Sequence, residues 1–103
     1  MIRSSKHSVD DLANLFGMLS KPTRLQIVML LAKGESSVGD LCEKLKLPQP
    51  LASHHLGLLR MNGMILGNRR GKEVIYSLPD HVKASAGKLK VSLSPLSVTV
   101  EGY

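Results

Sequence analysis

Apolar residues in the first half of the chain recur at helical spacing, in segments separated by proline, glycine and polar residues. A capping-box-like start at Ser8 to Asp11 predicts a first helix from about Val9 to Leu19. Pro22 suits the first position of a second helix, which Gly34 is expected to end. The apolar residues that recur at helical spacing in the first helix are Val9, Leu12, Leu15, Phe16 and Leu19. The residues predicted to form the buried stripe of the second helix are Leu25, Val28, Met29, Leu31 and Ala32.

Two shorter helical segments follow, joined by a tight turn. Ser37 to Asp40 again resembles a capping box, and the apolar side chains from Val38 to Leu45 share one helical face. Leu47 and Pro48 interrupt the pattern, Pro50 fits the first turn of the next helix, and Asn62-Gly63 closes it. A short helix, a tight turn and a second helix that begins with polar residues together predict a helix-turn-helix. The second of these helices carries Leu51, Ala52, His55, Leu56, Leu58 and Leu59 on its apolar side.

After Gly63 the pattern changes from helical to strand-like. Met64 to Leu66 and Glu73 to Leu78 are predicted strands, and the turn-forming segment Gly67 to Lys72 lies between them. The sequence therefore predicts a β-hairpin with a basic tip, directly after the helix-turn-helix. This arrangement is a wing.

The last part of the chain has a different pattern again. Asp80 to Lys88 is compatible with a short helix, although Gly87 weakens it. Beyond it, Leu89 to Leu93 and Leu96 to Val100 alternate apolar and polar residues, with a break at Ser94-Pro95. This alternation predicts either a second hairpin or two short edge strands.

The predicted fold is a winged helix-turn-helix, mainly α with a small β-hairpin wing, in which a β-prone tail takes the place of a last helix. With 103 residues, residues 1–103 are expected to form a single domain. Residues 9–78 would form the core helices and the wing. Residues 79–103 would form the tail, which we expect to serve dimerisation or to bind an effector.

Charge points to a polyanionic partner. The formal net charge is +6, with a pI near 9.8, and Arg60, Arg69, Arg70 and Lys72 fall in a stretch of the chain that contains no carboxylate. The chain has only one phenylalanine, two tyrosines and no tryptophan, which argues against binding single strands, because single-strand binding usually needs aromatic stacking platforms. Double-stranded nucleic acid is therefore the expected partner.

The single cysteine, Cys42, excludes an intramolecular disulfide and suits a reducing compartment. The first residues, up to Ser8, carry Arg3 and Lys6 but no apolar run of the kind a signal peptide needs. No apolar stretch approaches the roughly 20 residues that span a bilayer. We therefore expect a cytoplasmic protein with no membrane partner.

Four stretches of the chain resemble the ArsR/SmtB family of bacterial transcriptional repressors. They are Lys21 to Leu25, Val38 to Leu41, Leu47 to Gly63, and the wing from Arg69 to Leu78. The resemblance covers roughly residues 9 to 78 and is most specific around Ser53-His54-His55-Leu56. It implies a homodimer whose recognition helices and wings bind an operator, and an effector, often a metal ion, that releases the DNA.

Candidate DNA-contacting residues fall into three groups. Gln49, Ser53 and His54 lie early in the recognition helix, where side chains reach base edges, although Gln49 could simply cap the helix. The basic wing would contact phosphates or enter the minor groove, unless its charges only solvate a turn. Thr23 and Arg24 match a region that contacts the DNA backbone in the family, and Arg24 could equally form an intramolecular salt bridge. The full set of candidates is Thr23, Arg24, Gln49, Pro50, Ser53, His54, Arg60, Arg69, Arg70 and Lys72. His55, which shares the side of Leu51 and Leu58, is predicted to be a packed, hydrogen-bonded histidine.

Metal sensing is not expected. Family members that bind soft metals have cysteines on either side of the valine before Asp40-Leu41, whereas Ser37 and Gly39 occupy those positions here. A second family site uses Asp and His ligands near the C-terminus, and Asp80 and His81 have no later histidine to complete it. No cofactor is predicted.

Cys42 is predicted to be a small buried apolar residue, and a thiol redox switch at this position is the weaker interpretation.

Other classes of function remain open. The alternating apolar tail would also suit a winged-helix module that binds protein instead of DNA, and a metal- or thiol-responsive sensor repressor is a further alternative. An enzyme is the least favoured reading, because the chain shows no Ser-His-Asp spacing, no paired carboxylates in a pocket-forming context and no glycine-rich phosphate loop.

Overall fold

The computed structural model describes residues 8–85, 87–93 and 96–102. The N-terminal residues 1–7 and the predicted break at Ser94-Pro95 lie outside the described residues. In chain order the elements are α1 (Ser8–Met18), α2 (Pro22–Lys33), β1 (Ser36–Ser37), α3 (Val38–Leu45), α4 (Gln49–Met61), β2 (Leu66–Arg70), β3 (Glu73–Ser77), β4 (Val82–Ser85), β5 (Lys88–Leu93) and β6 (Leu96–Glu101).

The helix-turn-helix is confirmed as α3 and α4. The Ser37 hydroxyl accepts a hydrogen bond from the backbone N–H of Asp40 at 3.1 Å, which satisfies one of the free donors at the start of α3. Lys46 ends α3 with φ +54° and ψ +47°, in the left-handed region that few residues other than glycine adopt. Pro48 then holds an extended conformation and α4 begins at Gln49. This short connection brings the two helices into direct packing contact.

Strands β2 and β3 form the wing, but the predicted strand and turn boundaries were wrong. Met64 and Ile65 are buried and precede the sheet, and β2 runs from Leu66 to Arg70. The turn contains only Gly71 and Lys72, so Arg69 and Arg70 lie in the strand and not in the loop. Gly71 has φ +64°, and glycine at the first position of a two-residue turn is favoured because it lets the hairpin follow the twist of its strands.

A strand that the sequence did not predict completes the first sheet. Ser36 and Ser37 form β1, which pairs antiparallel with β3 at Tyr76 and Ile75 and gives the order β1-β3-β2. Both serines are buried. The pairing attaches the connection between α2 and α3 to the base of the wing, so the wing and the helix-turn-helix are held in one body.

The tail forms a second antiparallel sheet with the order β4-β5-β6. The helix predicted between Asp80 and Lys88 is wrong, because Val82–Ser85 forms β4 and pairs with β5. The predicted hairpin is confirmed as β5 and β6. Burial explains the difference: Val82, Leu89 and Val91 point into the core, and only an extended segment places Val82 opposite Val91 on the same face.

One hydrophobic core joins the helices to the tail sheet. It comprises Leu15, Ile27, Val28, Leu31, Leu41, Leu56, Leu59, Met64, Ile65, Val82, Leu89 and Val91. Leu25, predicted to belong to the buried stripe of α2, is instead exposed. Leu51 of α4 is exposed as well, and so are Val9 and Phe16 of α1, which are 73% and 54% exposed. Within the described residues no helix is both long and apolar enough to cross a membrane.

Candidate nucleic-acid interface

Helix α4 has one buried side and one exposed beginning. Ala52, Leu56 and Leu59 are buried at spacings of four and three residues, which fixes the rotation of the helix against the core. The candidates Gln49, Pro50, Ser53 and His54 are all exposed, on the first turn and a half of the helix. This part of α4 is therefore free to enter a groove of a nucleic acid.

Arg24 ties the start of α2 to α4. Its Nε donates a hydrogen bond to Nδ1 of His55 at 3.3 Å, and its Nη1 donates to the carbonyl of Met18, the last residue of α1, at 3.1 Å. The guanidinium thus joins three helices. The acceptors in these two contacts are an imidazole nitrogen and a backbone carbonyl, so neither contact is a salt bridge. Thr23, beside it at the beginning of α2, is half-buried.

His55 is a hydrogen-bonded, half-buried histidine, as its place on the apolar side of α4 predicted. Because arginine can only donate, Nδ1 of His55 must keep its lone pair, and the imidazole is neutral. Desolvation by burial lowers the pKa of His55, and the positive charge of Arg24 lowers it further. His54 and His55 lie next to each other with ring centroids 5.8 Å apart, but only His54 is exposed.

The wing divides its cations between two faces. Gly67 and Arg69 alternate with Asn68 and Arg70 along β2, so the two arginines project to opposite sides of the hairpin. On the Gly67 side the stem of Arg60 crosses the strand: a Cβ added at Gly67 would lie 3.4 Å from Cδ of Arg60. Arg60, at the end of α4, and Arg69 therefore share one side of the wing.

Arg70, on the other side, is engaged by a carboxylate. Its Nη1 donates to Oε1 of Glu35 at 2.6 Å and its Nη2 donates to Oε2 at 3.0 Å, in a two-point ion pair between side chains that are about half exposed. The hydrogen bond to Arg70 lowers the pKa of Glu35 and raises that of Arg70. Lys72, in the turn, is exposed.

Glu35 is the residue at this surface that the sequence did not point to. The stretch from Arg60 to Lys72 has no carboxylate of its own, yet β1 holds the segment beside Glu35 against β3 and so brings Glu35 to the wing. A contact between residues 35 positions apart leaves no periodic signal in the sequence. Only the pairing of β1 with β3 reveals it.

Cys42 lies in the short helix α3, whose cap is Ser37. In the part of the chain that the structure describes, no three His, Cys, Asp or Glu side chains cluster closely enough to hold a metal ion. Ser37 is buried and its hydroxyl is used as the α3 cap. Cys42 is a free thiol and is half-buried, so it is more accessible than the buried position that its sequence context predicted.

Comparison with known families gives one match inside the helical region. Residues 21–65 match the model of the bacterial regulatory proteins of the arsR family. The segment begins at the turn before α2, includes α3 and α4, and ends just before the wing. It therefore contains the residues of the exposed face of α4.

Known proteins with related sequences and structures point the same way. The chain is 47% identical over 76 residues to the arsenical resistance operon repressor of Escherichia coli K12, an alignment that covers 73% of this chain and 65% of that protein. The chain thus spans just under two thirds of this relative's length. The crystal structure of the transcriptional repressor BigR from Xylella fastidiosa superposes with a TM-score of 0.67 at 37% identity, covering 73% of this chain and 76% of BigR.

A second similar structure is that of a dimer. It is the solution structure of the homodimeric winged helix-turn-helix DNA-binding domain, fragment 1–100, of Mb0332 from Mycobacterium bovis. It superposes with a TM-score of 0.66 at 28% identity and covers 76% of this chain and 74% of that one. The winged helix-turn-helix is therefore shared with these regulators, whereas about a quarter of this chain lies outside each superposition.

Proposed function

Because this chain belongs to the arsR family of bacterial regulatory proteins, we propose that it is a homodimeric repressor that binds specific sites on double-stranded DNA. Its α4 enters the major groove, and its wing contacts the phosphate backbone or the minor groove. Such a protein works in the bacterial cytoplasm and is not an enzyme. The family, with repressors among its members, supports the class of function, and the surface of α4 supports the mode of binding.

The observation that carries the proposal is the exposed beginning of α4, together with the exposed cations that follow it along the chain. Gln49, Ser53 and His54 present amide, hydroxyl and imidazole groups, which can hydrogen-bond to base edges in the major groove. Arg60 and Arg69 follow on one side of the wing. Sequence-specific binding requires groups that hydrogen-bond to base edges and further groups that bind phosphates.

Salt dependence of binding tests the proposal. Fluorescence anisotropy of a labelled duplex from the promoter region beside the gene should show binding that weakens steeply with salt. A titration with bulk duplex DNA should compete much less well than the specific site. A winged-helix module that binds protein would show neither the steep salt dependence nor the preference for one site.

We also propose that the signal sensed by this repressor is not a metal ion bound by thiolates on α3. Ser37 and Gly39 stand where that site needs cysteines, and the Ser37 hydroxyl is committed to the backbone of Asp40. The expected result is that added Zn²⁺, Cd²⁺ or arsenite at micromolar concentration leaves the DNA affinity unchanged. Metal-induced release of the DNA, lost in Cys42→Ser, would contradict it and would favour a metal- or thiol-responsive sensor.

A further inference from the structure

In the part of the chain that the structure describes, the tail sheet and the first helices line an apolar groove of about 660 Å³. Its floor is formed by Leu89 and Val91 of β5, and its rims include Phe16 of α1 and Val100 of β6. Phe16 and Val100 remain 54% and 42% exposed. Among its lining residues only Gln26 and Lys44 have polar side chains. An exposed apolar surface of this kind on a small protein marks a site of association.

Strand β6 adds an open sheet edge beside this groove. Within residues 8–85, 87–93 and 96–102, β6 pairs only with β5, whereas β4 at the other edge lies against α2. The backbone N–H of Gly102 donates to the carbonyl of Gly87 at 2.8 Å. Because N–H groups alternate in direction along a strand, those of Ser97, Thr99 and Glu101 point away from β5, toward the open edge.

The composition of β6 does not protect its edge. Natural edge strands are guarded by lysine, proline or a bulge. β4 carries the exposed Lys83, but β6 has the sequence Leu-Ser-Val-Thr-Val-Glu, with neither lysine nor proline, and all six of its residues pair in unbroken register with β5. An edge of this kind is suited to pair with another strand.

We propose that the partner is a second copy of this chain, joined by antiparallel pairing of β6 with β6 of the partner. The two tail sheets then form one six-stranded sheet, and the partner covers the groove and Phe16. Around a two-fold axis, the free N–H and C=O groups of β6 can bond to the same groups of β6 in the partner. A symmetric dimer requires a surface that is complementary to itself in this way. Glu101 is the only ionised residue of β6 and lies at its end. The antiparallel pairing therefore brings no two like charges together at the centre of the interface.

This inference rests on the homodimer of the proposed function and specifies the surface that forms it. One strand pair buries too little surface for a stable dimer, which needs about 800 Å² from each partner. The groove, with Phe16 of α1 on its rim, supplies additional apolar surface next to the edge. A similar winged-helix domain is a homodimer, which makes a second copy the best supported partner for this surface.

Thr99→Pro tests the pairing with little effect on the protomer. The proline removes an N–H that points to the open edge, so no bond to β5 is lost, and Thr99→Val is the matched control that keeps the N–H. By analytical ultracentrifugation the parent and Thr99→Val should be dimers of the 11.2 kDa chain. Thr99→Pro should raise the dimer Kd by roughly tenfold or more, because the two-fold axis removes two edge donors at once. A parent that stays monomeric, or a Thr99→Pro dimer as tight as the control, would overturn the proposal.

Hydrogen exchange of the parent gives an answer that does not depend on how the variant folds. In the dimer the amides of Ser97, Thr99 and Glu101 should be protected, and they should lose protection on dilution below the Kd. Exchange at these three amides that is fast at every concentration would overturn the pairing.

DNA binding is measured separately, so that the two proposals can fail independently. A parent that dimerises through β6 but binds no DNA contradicts the proposed function alone. A DNA-binding dimer with unprotected β6 amides contradicts this inference alone.

Discussion

Arg70 of the wing forms a two-point ion pair with Glu35, which lies between α2 and β1. The two distances from a guanidinium nitrogen to a carboxylate oxygen are 2.6 Å and 3.0 Å. The two carboxylate oxygens occupy the positions on the guanidinium that two phosphate oxygens would take. If Arg70 binds a DNA phosphate, as the proposed function implies, Glu35 competes with that phosphate for the guanidinium. Both side chains are about half exposed, so water and salt weaken the ion pair, and a phosphate would be able to displace Glu35.

Glu35→Gln should strengthen DNA binding. Removing the carboxylate frees Arg70 for phosphate and removes a negative charge from the wing, so we expect roughly a two- to fivefold gain in affinity, the range spanned by exposed ion pairs. The salt dependence should steepen by about one released counterion. Glu43→Gln, an exposed carboxylate on α3, is the control for net charge. If Glu35→Gln bound DNA no more tightly than Glu43→Gln, the competition would be absent.

Substitutions on α4 and on the wing should have different effects. Gln49→Ala or His54→Ala should change the preferred sequence, with a loss of about 1–3 kcal/mol in discrimination at the base pair contacted. Arg69→Ala should weaken binding to all sequences alike and reduce the salt slope by about one. Binding measured on a panel of single-base-pair variants of the site separates the two effects. A uniform loss from Gln49→Ala would contradict a base-reading role.

His55 should make the fold sensitive to mild acid. Its pKa in the folded protein lies below the ordinary value of 6.5, so the unfolded chain binds the proton more readily. The stability that neutral His55 contributes is complete above pH 6.5 and is lost as the pH falls through the lower, folded-state pKa. Protonation also removes the acceptor of the Arg24 hydrogen bond.

Thermal unfolding between pH 7.5 and pH 5 measures this effect. The parent should lose Tm on acidification, and His55→Gln should lose less over the same range. His81→Gln should behave like the parent, because His81 is exposed and is not among the groups that lower the pKa of His55. An acid dependence that is the same in His55→Gln and the parent would show that another group is responsible.

The helices and the helix-turn-helix could be predicted from the sequence because their signals are local. Proline at helix starts, Ser37 as a cap and apolar residues three and four positions apart each act within a few residues of the chain. The tail hairpin was recognised in the same way from its alternation. The helix expected from Asp80 to Lys88 does not form, because the helix propensity of this segment is weak. Pairing of Val82 with Val91 in the core decides that the segment is extended.

The parts of the site that escaped prediction depend on contacts between distant residues. β1 has only two residues and exists through its pairing with β3. That pairing delivers Glu35 to Arg70. The exposure of Leu51 and Phe16 could not be predicted either, because helical spacing shows that a face is apolar but does not show whether anything in the same chain covers it. The sequence could therefore indicate the surface of α4 more reliably than the pairing of the wing.

Two leucines on α4 test this distinction directly. Leu56 is completely buried whereas Leu51 is 44% exposed. Leu56→Ala should lower the free energy of unfolding by about 2–5 kcal/mol, the cost of a cavity in a packed core. Leu51→Ala should cost less than about 1 kcal/mol, since alanine favours the helix and little buried surface is lost. Chemical denaturation of both variants gives the comparison, and similar losses for both would contradict the assigned packing.

Selection of bound duplexes from a random pool tests the central claim most directly. A homodimer that reads DNA with α4 should enrich an inverted repeat whose half-sites are centred about 10 bp apart, one turn of the double helix. Gln49→Ala should then enrich a repeat changed at one position in each half-site. Recovery of unenriched random sequence by the parent protein, at a salt concentration where it still binds DNA, would contradict the account of this protein as a sequence-specific repressor.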